Sequence, residues 1–258
     1  MSGLRGLPFP QLFVRQVRVV FGGADPQHDG AAQKTDLNGE KILDIPMIRS
    51  TSSKSATGII LAAGASTRLG RPKQLLMIDG KPLLVRVIQA AVNSDLDQIV
   101  LVLGHQAADI QKALCSHLVH PKLKVVVNRD HKTGMASSLQ AGLRQIPNGF
   151  QTVMILLADH PFTDSSIINH LLSRFNNSSK TLCVPTYRGR RGHPVCLSQQ
   201  FYDDMMSLSG DIGAREIIRN YSGQLLEVEL DSDQAFLDID TDADLERAIS
   251  IGRCRVKT

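Results

Sequence analysis

Tryptophan is absent from this 258-residue chain, tyrosine occurs three times and phenylalanine eight, so aromatics reach only 4%. Proteins that grip single-stranded nucleic acid stack bases on aromatic faces. A chain this poor in them, with its basic residues scattered, is not expected to bind nucleic acid. Cysteine is scarce as well. The four thiols, Cys115, Cys183, Cys196 and Cys254, show no Cys-x-x-Cys pair and no regular spacing, which argues against structural zinc and against a disulfide framework. They read as small buried hydrophobes in a reducing, cytoplasmic compartment. No apolar run approaches the roughly 18 residues that cross a bilayer. The longest, such as 152–158, suits a buried strand, and no membrane partner is expected.

What is present is enough apolar residue, 42%, to bury a sizeable core, together with a modest net charge of +4. A small positive excess without aromatics fits cations gathered around an anionic small molecule. Residues 1–55 differ from the rest. They show no sustained period, are broken at Gly22-Gly23 and Asp25-Pro26, and end in the polar run Ser50-Thr51-Ser52-Ser53-Lys54-Ser55. They are expected to be a poorly ordered extension in which 13–21 offers one strand. Met47 lies ten residues before the first strand of the rest, and translation is expected to start there.

From residue 56 to 258, β-rich apolar runs alternate with helical patterns. Strands are expected near 58–63, 98–103, 124–128 and 152–158, with helices near 82–93, 106–118, 136–146 and 164–175 between them. Further strands come near 181–187, 194–198 and 223–230, with helices near 199–207, 211–220 and 242–251. This alternation predicts one α/β domain, a mainly parallel, Rossmann-like three-layer sheet covered on both faces. In such sheets the ligand lies beyond the carboxyl ends of the strands, so the loop leaving each strand is the place to seek chemistry.

After the first strand comes Leu61-Ala62-Ala63-Gly64-Ala65-Ser66-Thr67-Arg68-Leu69-Gly70-Arg71-Pro72-Lys73-Gln74-Leu75. It is neither a P-loop, which needs Gly-Lys-Ser/Thr where Leu69 begins, nor a dinucleotide fingerprint, which needs Gly where Ser66 stands. Its small residues let backbone amides approach a phosphate chain while Arg68 and Lys73 neutralise charge. Asp159, at the end of the 152–158 run and braced by Pro161, is the first choice for a Mg²⁺ ligand, because that ion takes one or two carboxylates and fills its shell with water and phosphate. Asp238 and Asp240 alternate on an extended run and point the same way, and Thr241 caps the last helix. His105 and His193 lack partners at metal-ligand spacing. No nucleophilic triad is evident.

The motif Leu-Ala-Ala-Gly-x-Ser-x-Arg-x-Gly-x-Pro-Lys-x-Leu resembles the opening of the nucleotidyltransferases that load CTP or GTP onto the molybdenum cofactor. The Ala-Ala-Gly form and Pro72-Lys73 resemble the cytidylyltransferase branch. The resemblance extends to Asp159-His160-Pro161, where the family usually has Asp-Gln-Pro, and to Asp238-Ile239-Asp240-Thr241. It also covers Gly134-Met135-Ala136-Ser137-Ser138-Leu139, the Gly192-His193-Pro194 loop, and Gly210-Asp211-Ile212-Gly213-Ala214-Arg215. It implies a GT-A-like nucleotidyltransferase fold with Asp159 and Asp240 on Mg²⁺. Leu61, Ala62, Ala63, Gly64, Lys73, Gly134, Ser138 and Asp159 would lie around the nucleotide. His160, Gly192, His193, Pro194 and Arg215 would lie near the acceptor, with Asp211 or Gly213 opening the helix that carries Arg215. His160 in place of Gln bears on substrate choice.

The activity so implied is transfer of CMP from CTP to the terminal phosphate of molybdopterin, with pyrophosphate released and a molybdoenzyme receiving the product. Four alternatives stay open on the residues alone: GTP as donor, a sugar or alditol phosphate as acceptor, a cofactor-binding chaperone without turnover, and an NAD(P)H oxidoreductase on the same scaffold.

Overall fold

The computed structural model describes residues 55–255. Apart from Ser55, the expected extension, its strand over 13–21 and the start at Met47 lie outside the described residues. The described chain runs β1 (Ala56–Ala62), β2 (Met77–Ile78), β3 (Lys81–Pro82), α1 (Leu83–Val92), β4 (Gln98–Leu103), α2 (Ala107–Leu114), β5 (Leu123–Val127), α3 (Met135–Leu143) and β6 (Thr152–Leu157). It continues through α4 (Ser165–Asn176), β7 (Leu182–Tyr187), β8 (Arg190–Arg191), β9 (Val195–Ser198), α5 (Tyr202–Ser207), α6 (Arg215–Asn220), β10 (Leu225–Glu229) and α7 (Asp242–Arg255).

The main sheet has the order β10-β7-β9-β6-β1-β4-β5, with β8 paired to β7. β1 lies between β4 and β6, parallel to both, with Ile59 beside Val100 and Ile155. The order turns back there: the chain moves from β1 outward to β4 and β5, then returns to β6 on the other flank. Such a reversal opens a crevice at the carboxyl ends of the strands, and the loop after β1 enters it.

β9 departs from the parallel expectation, pairing antiparallel with both β6 and β7. Its connection from β7 is the short β8 turn over 188–194, and a parallel crossover needs a dozen or more residues. A second small hairpin, β2 with β3, turns on Asp79 and Gly80, both at positive φ (49° and 73°). Two left-handed residues make the tight turn that matches strand twist, which is why Asp-Gly suits it.

Side chains on the two faces of the sheet build separate cores. Ile60, Leu101, Met154 and Leu156 pack under α1, α2 and α4. Ile59, Val102, Val153 and Val195 pack under α3, α5 and α6. The strands therefore bury both faces, as central α/β strands do. A third, smaller cluster joins Leu76 and Ile78 to Phe162, Leu237, Ile239 and Ala248. It sits beside the carboxyl ends of β1 and β6 and ties three distant segments together.

Candidate active site

The loop leaving β1 is held from behind. Ala158 N–H donates to the Leu61 carbonyl at 3.1 Å, and His105 N–H to that of Ala63 at 3.2 Å. The buried Gln74 amide donates to the carbonyls of Ala62 at 2.8 Å and Gly64 at 3.4 Å. In a trans peptide the N–H points opposite to the C=O, so with two carbonyls turned to Gln74 the amides of Ala63 and Ala65 face away from it. Sequence reasoning missed Gln74. Its signal was a long polar residue beside Lys73 in an apolar run.

Ser66, at positive φ (52°), folds the loop back. Its carbonyl accepts from Leu69 and Gly70 N–H, and its hydroxyl accepts from Lys73 N–H at 3.1 Å. The lysine side chain is thereby aimed at the acids. Lys73 Nζ lies 2.6 Å from Asp159 Oδ2 and 3.1 Å from Asp240 Oδ1, so one ammonium bridges both carboxylates. The two acidic segments also bond directly, Ile239 N–H donating to the Asp159 carbonyl at 3.1 Å. Arg68, largely exposed, reaches Asp240 Oδ2 at 2.7 Å, and Arg71 reaches Asp242 at the same distance.

Burial disfavours the Lys73 charge, yet Asp159 and Asp240 outweigh it and hold the ammonium above its usual range. Burial likewise opposes ionisation of Asp159, and here Lys73 and His160 outweigh it and hold the carboxyl below its usual range. Asp159 Oδ1 is buried with no hydrogen-bond partner, and His160 Nε2 stands 3.9 Å away. A buried carboxylate oxygen without a donor is costly unless a cation takes it. Among the described residues no cluster of three or more His, Cys, Asp or Glu is arranged to hold a metal. Two carboxylates with one free oxygen fit Mg²⁺ or Mn²⁺ completed by phosphate and water.

Asp240 and Asp238 part company. Asp240 meets Lys73, whereas Asp238 is exposed and lines a neighbouring cleft of about 1170 Å³. Thr241 behaves as expected, exchanging hydrogen bonds with Asp244 in a reciprocal cap at the start of α7.

The cleft runs from Leu61 and Leu157 across to α6. Its floor is apolar, with Leu139, Ile155, Val184, Ile218 and Phe236, and its walls carry Arg190, Arg191, Arg215 and Arg219. His160, Gly192 and His193 line it as well; Pro194 is buried behind them. His160 Nδ1 lies 3.1 Å from the Ala235 carbonyl, an acceptor that calls for a proton on Nδ1. Its ring stands 5.7 Å from that of His193. Burial, with the charge of His160 adding to it, pushes His193 down to about 4, so it is neutral near pH 7.

Three expectations are corrected. Gly134, at φ 114°, does make a close approach, but to the Gly210 backbone, which a Cβ would overlap. Ser138 does not stand open at a helix start. It is 5% exposed, and its hydroxyl accepts from Asn128 Nδ2 at 3.0 Å, tying the end of β5 to α3. Neither Asp211 nor Gly213 opens α6, which begins at Arg215. Asp211 instead accepts from Met135 N–H at 3.3 Å, at the start of α3, while Gly210 accepts from Ala136 N–H. The loop over 208–214 is committed to another helix.

A family model described as the MobA-like NTP transferase domain matches residues 58–227. The chain belongs to that family. It is a nucleotidyltransferase with the family's GT-A-like fold. Among MobA-like relatives, nicotine blue oxidoreductase of Paenarthrobacter nicotinovorans is 29% identical over 198 residues, 74% of this chain and 95% of its own length. A probable molybdenum cofactor guanylyltransferase of Thermococcus sibiricus is 24% identical over the same shares. A manganese complex of Rv0371C from Mycobacterium tuberculosis H37Rv is 25% identical with a TM-score of 0.64, covering 76% of this chain and 98% of that one. Among the described residues no helix is long and apolar enough to cross a membrane.

Proposed function

We propose that this MobA-like transferase moves the cytidylyl group of CTP onto the terminal phosphate of a molybdopterin-type acceptor and releases pyrophosphate. The observation that carries the reading is the Lys73 ammonium shared by Asp159 and Asp240 at the exits of β1 and β6, beside an Asp159 oxygen that lacks a donor. The relative named for molybdenum cofactor supports the acceptor class. The Ala62-Ala63-Gly64 form of the loop supports CTP over the GTP that relative's name implies.

Nucleotidyl transfer needs an acceptor oxygen in line with the α-phosphorus and charge neutralised as pyrophosphate departs. The amides of Ala63 and Ala65, held outward by Gln74, face the triphosphate, with Leu61, Ala62 and Gly64 shaping the seat of the base. Lysine is a point charge on a flexible stem, so Lys73 turns from the carboxylates to the departing phosphates when nucleotide enters, and Arg68 adds a second cation. Asp159 and Asp240 would then hold Mg²⁺, which supplies charge stabilisation at the phosphoryl oxygens; the manganese complex of a relative supports a divalent ion. Gly134 and Ser138 act on the nucleotide through the shape of the α3 start. Across the cleft, Arg215 takes the acceptor's charge, while His160 and His193 with Gly192 and Pro194 form the wall beside its reacting phosphate.

The transferase domain spans 56–258 with 1–55 appended, and the free thiols, Cys183 and Cys196 buried as expected but Cys115 exposed against expectation, fit a reducing, cytoplasmic setting. A molybdoenzyme is the proposed recipient of the product. Pyrophosphate release with each NTP, with and without molybdopterin, tests the reading: CTP with acceptor should be fastest. The relative named an oxidoreductase favours one rival. NAD(P)H turnover together with no thermal protection by CTP would establish that rival instead.

A further inference from the structure

Lys73, Asp159 and Asp240 come from three segments, and the third apolar cluster binds those segments together through Leu76 and Ile78, Phe162, and Leu237 and Ile239. One charged side chain reaches into that cluster from α1. Arg86 places its guanidinium over the Phe162 ring, 5.6 Å from the centroid. Its Nε donates to the Pro161 carbonyl at 3.4 Å and its Nη1 to the Ile78 carbonyl at 3.3 Å. Nη1 also meets Asp79 Oδ2 at 3.4 Å, with the two side chains only 18% and 17% exposed.

Asp79 stands at the turn between β2 and β3, and its carboxylate lies against the α7 backbone at Gly252, where a Cβ would overlap it. One guanidinium therefore touches the hairpin, the loop two and three residues beyond Asp159, and, through Asp79, the helix that begins two residues after Asp240. A planar fork with fixed donors suits three partners at once, which a lysine's point charge does not. Arg86 reaches toward Asp159 through Pro161 and Phe162.

We propose that Arg86, with Asp79, is a positioning residue that fixes the spacing of Asp159 and Asp240 and so sets their affinity for a divalent cation. The inference rests on the reading of those two carboxylates as metal ligands given above. Groups that orient metal ligands from behind typically change affinity or activity about 10- to 100-fold when lost.

The test titrates Mn²⁺ into the full-length protein and follows free Mn²⁺ by electron paramagnetic resonance. Wild type is compared with Arg86→Met, Asp79→Asn and Asp159→Asn. Asparagine before glycine suits the same turn, so Asp79→Asn keeps the fold should Arg86→Met lose it. Asp79→Asn and Arg86→Met should weaken Mn²⁺ binding about 10-fold and raise the Mg²⁺ concentration for half-maximal pyrophosphate release by the same factor, with the KM for CTP unchanged. A purely structural role would lower the melting temperature without moving either readout, and that overturns the proposal. Wild-type Mn²⁺ affinity in Asp79→Asn overturns it as well, leaving the metal reading intact. Wild-type affinity in Asp159→Asn removes the metal reading and this inference with it.

Discussion

At the exits of β1 and β6 the charges are close and paired: one ammonium within 3.1 Å of two carboxylates, fixed by backbone bonds and an apolar cluster. Across the cleft toward β7 and α6 the charges are spread over an apolar floor, and Arg215 and Arg219 are exposed at its edge. The first region is prebuilt around one ionic geometry, and the second is a shaped surface with adjustable cations. Chemistry common to all nucleotidyl transfer draws on the former, where the carboxylates are held in place and the lysine alone has to turn. On the proposed function, choice of acceptor falls to the latter, where a few polar groups orient a ligand over an apolar lining.

The sharpest break in that contrast is Lys73→Ala. Pyrophosphate release should fall on the order of 10²-fold, and Asp159 and Asp240, left to repel each other, should lower the melting temperature of the metal-free protein. Added Mg²⁺ should restore that temperature more in the variant than in wild type. An unshifted melting curve would mean that the ammonium does not hold the carboxylates.

Next comes the buried wall of the cleft. With the His193 pKa lowered from 6.5 to about 4, the unfolded chain takes up its proton first as pH falls. The native state therefore loses stability from pH 6.5 down to 4, on the order of 3 kcal/mol, and is unaffected above that window. His193→Gln should flatten the difference between urea midpoints at pH 7 and pH 4.5. A steeper dependence in the variant would refute the assignment.

Arg215→Ala should raise the acceptor's KM about 10-fold, the loss of one charge-assisted hydrogen bond, and leave the KM for CTP as it was. Equal effects on both substrates would erase the division between the two regions. The smallest change expected is Arg71→Ala. Its ion pair with Asp242 is more than half exposed on both sides, and such pairs contribute about 0–1 kcal/mol, so chemical denaturation should barely move.

The sequence made the prebuilt region more legible than the cleft, for a physical reason. Lys73 and Arg68 lie in one short loop, and Asp159 ends an apolar run, so strand periodicity and the α/β rule for carboxyl ends put both at one sheet edge. What escaped were the residues that act by reaching across: Gln74 to the loop carbonyls, Arg86 to Pro161 and Ile78, Asp211 to α3. Nothing local distinguishes a side chain that caps its own helix from one that caps another's, and Asp211 was assigned to the wrong one. Other misses had readable signals. Asp79-Gly80 between Met77-Ile78 and Lys81-Pro82 announces a tight hairpin, and the brief link from β7 to β9 forbids a parallel crossover.

Asp238 and Asp240 supply the most direct test, being two residues apart with only Asp240 on Lys73. The measurement is the Mg²⁺ dependence of pyrophosphate release in Asp240→Asn and Asp238→Asn. Asp240→Asn should lose about 10²-fold in rate and need far more Mg²⁺, while Asp238→Asn keeps the wild-type Mg²⁺ requirement. Equal losses in the two variants, or a wild-type rate in Asp240→Asn, would contradict the account.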